Sequence, residues 1–97
     1  MQIEQIRNLF LSDRYITIMH CMKRMVERGI SDNAIACSIQ TGEIIEEYPD
    51  DFPYPSCLIS GNGLHIVVAM TDETIWLVTA YKSDPEQWDP ALKTRRT

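Results

Sequence analysis

The sequence predicts an α+β fold, with N-terminal helices packed on one face of a four-stranded, mainly antiparallel sheet. Three observations carry this reading. Apolar residues in the first third of the chain recur at helical spacing. From Glu43 onward the pattern changes to strand-length runs rich in β-branched and aromatic residues. Turn signals separate those runs, namely Pro49, Pro53, Pro55 and Gly61-Asn62-Gly63. Helices first and strands afterwards make two layers around one core. The helices cover one face of the sheet, and the other face is where a ligand or partner meets it.

In chain order, Ile3, Ile6 and Phe10 define a short amphipathic helix over residues 2–12. Arg14–Ile18 is brief and β-branched, and reads as an extended connector. A second helix runs from Met19 to Arg28, with Met19, Met22, Met25 and Val26 on its apolar side. His20, Arg24, Glu27 and Arg28 fall on the other side, and Gly29 sits where a C-terminal glycine belongs. Ser31 caps a third helix, Asp32 stands in its first turn, and Gly42 stops it. Its inner face is Ala34, Ile35, Ser38 and Ile39. Strands are expected at Glu43–Tyr48, Ser56–Ser60, Leu64–Met70 and Thr74–Tyr81, the last three as an antiparallel meander. Asp84-Pro85-Glu86-Gln87 has the chemistry to start a short final helix carrying Trp88. The basic tail from about residue 90 reads as frayed.

The 97 residues fit a single domain over 1–97. No run approaches the roughly 20 apolar residues of a membrane span, and the start shows no export signal. A cytoplasmic protein with no membrane association is therefore expected. Three cysteines, Cys21, Cys37 and Cys57, are odd in number and widely spaced, which fits reduced thiols rather than a disulfide framework. Cys37 and Cys57 read as small core residues. The net charge of −5 weighs against a dedicated nucleic-acid binder. The charge is uneven, however. Acids gather between Glu43 and Asp51, while Arg7, Arg14, Lys23, Arg24 and Arg28 gather in the first third.

His20, Arg24 and Arg28 recur at i, i+4 and i+8, one stripe along a helix. An imidazole can move protons, and guanidiniums can hold phosphate oxygens and stabilise developing negative charge. The plainer reading is a solvated face with Glu27 as an intrahelical partner. His65 shares a strand face with Val67 and Ala69, opposite the better core face of Leu64, Ile66, Val68 and Met70. It is expected to look toward the exposed side of the sheet. Tyr81 and Lys82 end the last strand, where a ring can stack on a base and an ammonium can neutralise a phosphate. Tyr48, Phe52 and Tyr54 flank an acidic, proline-rich turn that reads as a packed loop or a protein contact. No Walker loop, HExxH, GxSxG or clustered metal-ligand motif is present, so no metal or other cofactor is expected.

The run from His20 to Ser31 follows H-x-x-x-R-M-x-E-R-G-I-S. It resembles the opening signature of the bacterial family called domain of unknown function 4258. The likeness continues through Gly42–Pro49, Pro53–Leu58, Leu64–Val68, Thr79–Trp88 and Arg95-Arg96. That family is distantly similar to RelE-like toxins, the small α+β ribonucleases of toxin–antitoxin modules. The resemblance implies a RelE-like fold and a toxin-like endoribonuclease that works without a metal and is neutralised by an antitoxin protein. It implies His20 as the proton-transfer residue and Arg24 and Arg28 as phosphate holders. Tyr81, Lys82, Arg95 and Arg96 follow as RNA contacts, and His65, from its place on the strand, is an RNA-binding candidate beside them. The alternative is a non-catalytic module that binds protein or RNA through the same face.

Overall fold

The computed structural model describes residues 1–82. The expected helix at Asp84 with Trp88, and the basic tail with Arg95 and Arg96, lie outside the described residues. Within them the fold is α+β, with three helices and a five-stranded sheet in the order β1-β5-β4-β3-β2. The elements are α1 (Ile3–Leu11), β1 (Tyr15–Thr17), α2 (Met19–Arg28), α3 (Asp32–Thr41), β2 (Glu43–Tyr48), β3 (Ser56–Gly61), β4 (Leu64–Met70) and β5 (Ile75–Lys82). The sheet thus differs from expectation in one strand. The connector after α1 is β1, paired parallel with β5 through Tyr15↔Ile75 and Thr17↔Leu77. Its partner is some 60 residues away in the chain, and no local pattern announces a pairing of that reach. The other neighbours are antiparallel, β3, β4 and β5 as the meander predicts and β2 with β3 besides.

The core lies between the sheet and α1, α2 and α3. Ile6 of α1, Ile35 and Ile39 of α3, and Ile59, Ile66 and Ile75 of the sheet are all essentially fully buried. Each such side chain contributes about 1.5–3 kcal/mol by leaving water. Local chemistry sets the helix ends. Ser31 Oγ accepts from the Ala34 N–H at 3.1 Å. Gly29 turns left-handed at φ 65, and the Ile30 N–H then closes back on the Met25 carbonyl at 2.9 Å. Arg7 ties α1 to the end of α3, donating to the Ile39 carbonyl at 2.9 Å and the Gly42 carbonyl at 2.7 Å. A cation there meets the negative end of the helix dipole.

Two expectations about the core are corrected. Cys37 is exposed, because it falls on the outer side of α3, whereas Cys21 and Cys57 are buried. The far face of the sheet is not fully open either. Ser56, Leu58, Ser60, His65 and Ala69, all on that face, are each at most 9% exposed. Neighbouring strands place Leu58 beside Val67 and Ser60 beside His65, so this face carries a mixed apolar and polar set that is covered in part.

Gly42 and Gly61 mark the tightest crossing. Gly42 has an ordinary φ of −85, so conformational freedom does not explain it. A Cβ there would stand 2.6 Å from the Ser60 carbonyl oxygen and closer still to that of Ser38. Gly42→Ala is expected to lower the unfolding free energy by about 1–3 kcal/mol through overpacking. Gly63→Ala, at φ +72 with nothing within 4 Å, costs only the roughly 1 kcal/mol of a left-handed alanine. Urea denaturation compares them, and equal losses would show that the crossing has room. The thiols give a second test. Burial pushes the Cys57 thiol up to about 12, with the Glu47 charge adding to it, and burial also raises Cys21. At about pH 8 an aromatic disulfide reagent should modify Cys37 rapidly in the folded protein, and all three thiols only after denaturation.

Candidate functional site

The site is built around α2 and the edge of β5. β1 covers β5 only along Ile75–Leu77. Past that point α2 lies alongside β5. Arg28 Nη1 donates to the Ala80 carbonyl at 2.7 Å. A backbone acceptor on an otherwise open strand edge thereby gains a charged donor.

This contact sets the rotation of α2. The helix buries Cys21 and Met25, with Arg28 near the same side. Met19 is 83% exposed, Val26 84% and Met22 52%. The expected methionine-valine core side is therefore corrected. The helix is turned by roughly a quarter turn, close to one residue step. Seating Met19 and Val26 inside would carry Arg28 away from the strand and leave the Ala80 carbonyl bare.

The rotation also places the predicted stripe. Met22, Met25 and Val26 line a groove with Phe10, Tyr15, Ile30 and Ile35, on the helical layer. At about 100° per residue, His20 and Arg24 each stand roughly 160° from Met22. They occupy the opposite shoulder, turned toward the far face of the sheet. His20 is exposed. Arg24 Nη1 meets Glu27 Oε2 at 2.7 Å, a pair whose side chains are 36% and 43% exposed. Such a pair is worth about 0–1 kcal/mol and is readily exchanged for an incoming anion. Arg28 is engaged by the strand, so its first task is structural.

On the far face, His65 and Tyr81 are register partners on β4 and β5. Their rings meet edge-on with centroids 5.4 Å apart. The expectation that His65 looks to the exposed side is corrected: it is fully buried, behind Tyr81. Lys82 is exposed at the end of β5. The structure thus brings His20 and Arg24 together on one shoulder, with Arg28 reaching the strand residue that precedes Tyr81 and Lys82.

Sequence reasoning missed a cavity of about 400 Å³ on the same far face. The loop 49–55 folds over the sheet so that Tyr54 stacks on Trp76, with centroids 6.3 Å apart and planes 14° apart. Ile18, Asp51, Phe52, Tyr54, Trp76 and Val78 are among its walls. Asp51 accepts a short hydrogen bond from Ser56 Oγ. The Trp76 indole N–H is buried and meets no acceptor among the described residues. Leaving such a donor unpaired costs about 1–3 kcal/mol. The visible signal was the aromatic spacing of Phe52 and Tyr54, without a hint of the strand tryptophan they meet.

Arg28→Ala should lower the unfolding free energy by about 1–3 kcal/mol, since the Ala80 carbonyl loses its donor. Arg24→Ala should change it by less than about 1 kcal/mol. Urea denaturation ranks the two, and the reverse order would make Arg24 the anchor.

A sequence model of the family described as Domain of unknown function (DUF4258) matches residues 19–82, about two thirds of the chain. No curated protein and no solved structure matches. The match begins at the first residue of α2 and ends at the last residue of β5, so it takes in the stripe, strands β2 to β5 and the cavity walls other than Ile18.

Proposed function

We propose that this chain, which belongs to the family described as Domain of unknown function (DUF4258), is the toxin-like partner of a bacterial toxin–antitoxin pair and an endoribonuclease. One observation carries the reading. An exposed histidine stands one helical turn from a part-exposed arginine, on a shoulder of α2 that faces the far side of the sheet. The distant similarity to RelE-like toxins that the family resemblance implies supports the same chemistry.

In the proposed step, the RNA's 2′-oxygen attacks the adjacent phosphorus as its proton is withdrawn. The bond from phosphorus to the 5′-oxygen breaks, and that oxygen takes up a proton. The products are a 2′,3′-cyclic phosphate and a 5′-hydroxyl. His20 moves protons in this exchange. Arg24 leaves Glu27 for the phosphate oxygens and stabilises charge as it builds. Arg28 holds the helix that carries both, while Tyr81 and Lys82 offer stacking and charge at the end of β5. The reaction proceeds without a metal ion.

A second reading, a non-catalytic interaction module, is favoured by the apolar groove beside Met22 and Val26. Under the first reading that groove is where the neutralising antitoxin docks.

Expression of the chain alone should arrest bacterial growth, and His20→Ala at equal soluble level should relieve it. With purified protein and a chelator present, His20→Ala should slow RNA cleavage by about 10²–10⁴-fold. Normal growth with the native chain, and no cyclic-phosphate ends on its RNA, would give the second reading the protein.

A further inference from the structure

The far-face cavity has no part in the chemistry above, yet it adjoins it. Ile18, one of its walls, is the residue on which α2 starts, two positions before His20. We infer that the cavity seats a nucleobase, guanine best of the four, next to the phosphate that His20 and Arg24 address. This inference rests on the ribonuclease reading and adds a base subsite to it.

Three features of the cavity carry it. The first is its aromatic mouth. Phe52 is 95% exposed and Tyr54 41% exposed, although both are large rings attached to a loop that folds onto the sheet. Rings left in water at the lip of a concave, apolar space are the usual mark of a ligand site. A flat π-system gains most from them. The second is the buried Trp76 N–H, which meets no acceptor among the described residues. The donor is closed to solvent, so a ligand's acceptor meets it only once a wall of the cavity moves aside. The third is Asp51. One carboxylate oxygen accepts from Ser56, and a carboxylate retains capacity for further donors.

The ligand must therefore be flat, carry an acceptor and present N–H donors to a carboxylate. An aliphatic chain offers none of these. All four bases are flat and carry acceptors, but guanine alone places two adjacent N–H donors on one edge, matching the two-oxygen geometry of a carboxylate. The acids of this loop, Asp50 and Asp51, repel a phosphate. The base consequently enters the cavity, and its phosphate stays outside, toward the shoulder of α2. The volume of about 400 Å³ lies within the roughly 300–1,000 Å³ typical of small-molecule sites.

The test is binding of the four nucleoside 3′-monophosphates, none of which can be cleaved. Trp88→Phe serves as background, leaving Trp76 as the one indole. Saturable quenching of Trp76 fluorescence is expected, tightest for the guanosine nucleotide. Tyr54→Ala should weaken all four by about tenfold through lost stacking. Asp51→Asn should weaken the guanosine nucleotide by about tenfold and leave the uridine nucleotide within about twofold. Circular dichroism confirms that both variants fold.

Two failures are kept apart. If the nucleotides bind in this order but RNA is not cut, the base site stands and the ribonuclease reading falls. If RNA is cut in a His20-dependent way while no nucleotide quenches Trp76, and Tyr54→Ala cuts at the native rate, the base site is overturned. A saturable change in Trp76 emission with N-acetylphenylalaninamide, and none with the nucleotides, also overturns it and marks the cavity as a seat for a partner protein's aromatic side chain.

Discussion

The arrangement depends most on how the edge of β5 is finished. A strand edge left open exposes backbone donors and acceptors that invite pairing with another chain. β1 closes that edge for three residues, and α2 closes the part beyond it, with Arg28 on the Ala80 carbonyl. From this follow the burial of Cys21 and Met25, the exposure of Met19 and Val26, and the placing of His20 and Arg24 on the opposite shoulder from Met22. A helix free to choose by hydropathy alone would bury its methionines. Here α2 leaves Met19, Met22 and Val26 largely exposed and turns Cys21, Met25 and the Arg28 contact toward β5.

One consequence is that α2 shows two contrasting sides. Its polar shoulder joins the far face of the sheet, where Tyr81, Trp76 and the loop 49–55 gather. Its apolar shoulder joins the groove lined by Tyr15, Ile30 and Ile35. On the proposed reading, RNA and antitoxin meet the same helix from different directions. The antitoxin can then act without occupying the base cavity. The acidic net charge also finds a place in this picture. Of the acids, Glu43, Glu46 and Glu47 lie on β2, at the other end of the strand order from β5, whereas Asp51 of the loop after it reaches the cavity that Ile18 and Trp76 also line. Net charge is a sum over the surface, whereas a phosphate feels the few charges within about a Debye length.

The rest of the chain serves to hold these elements at fixed spacing. Arg7 joins α1 to the end of α3, and the Gly42–Gly61 crossing lets α3 approach β3 at backbone distance. Close-packed interiors of this kind transmit position with little slack. On the proposed reading, that rigidity is what lets a shoulder on one helix and a cavity under one loop act on a common ligand.

Much of this was legible beforehand. Three helices were readable from their 3.6-residue period, and their ends from Ser31, Gly29 and Gly42, because caps and periodicity act between residues a few positions apart. The strands β2 to β5 and their turns were readable for the same reason. The stripe of His20, Arg24 and Arg28 was readable as a stripe. Tertiary structure decided everything that depends on distant partners. It made Tyr15–Thr17 a strand by supplying β5, rotated α2 by offering it a backbone carbonyl, buried His65 by covering part of the second face, and made a cavity by laying Tyr54 on Trp76. Local sequence determines which conformations each segment prefers. The side of a segment that meets another is decided by long-range contacts, whose free energies exceed those local preferences and leave no period to read.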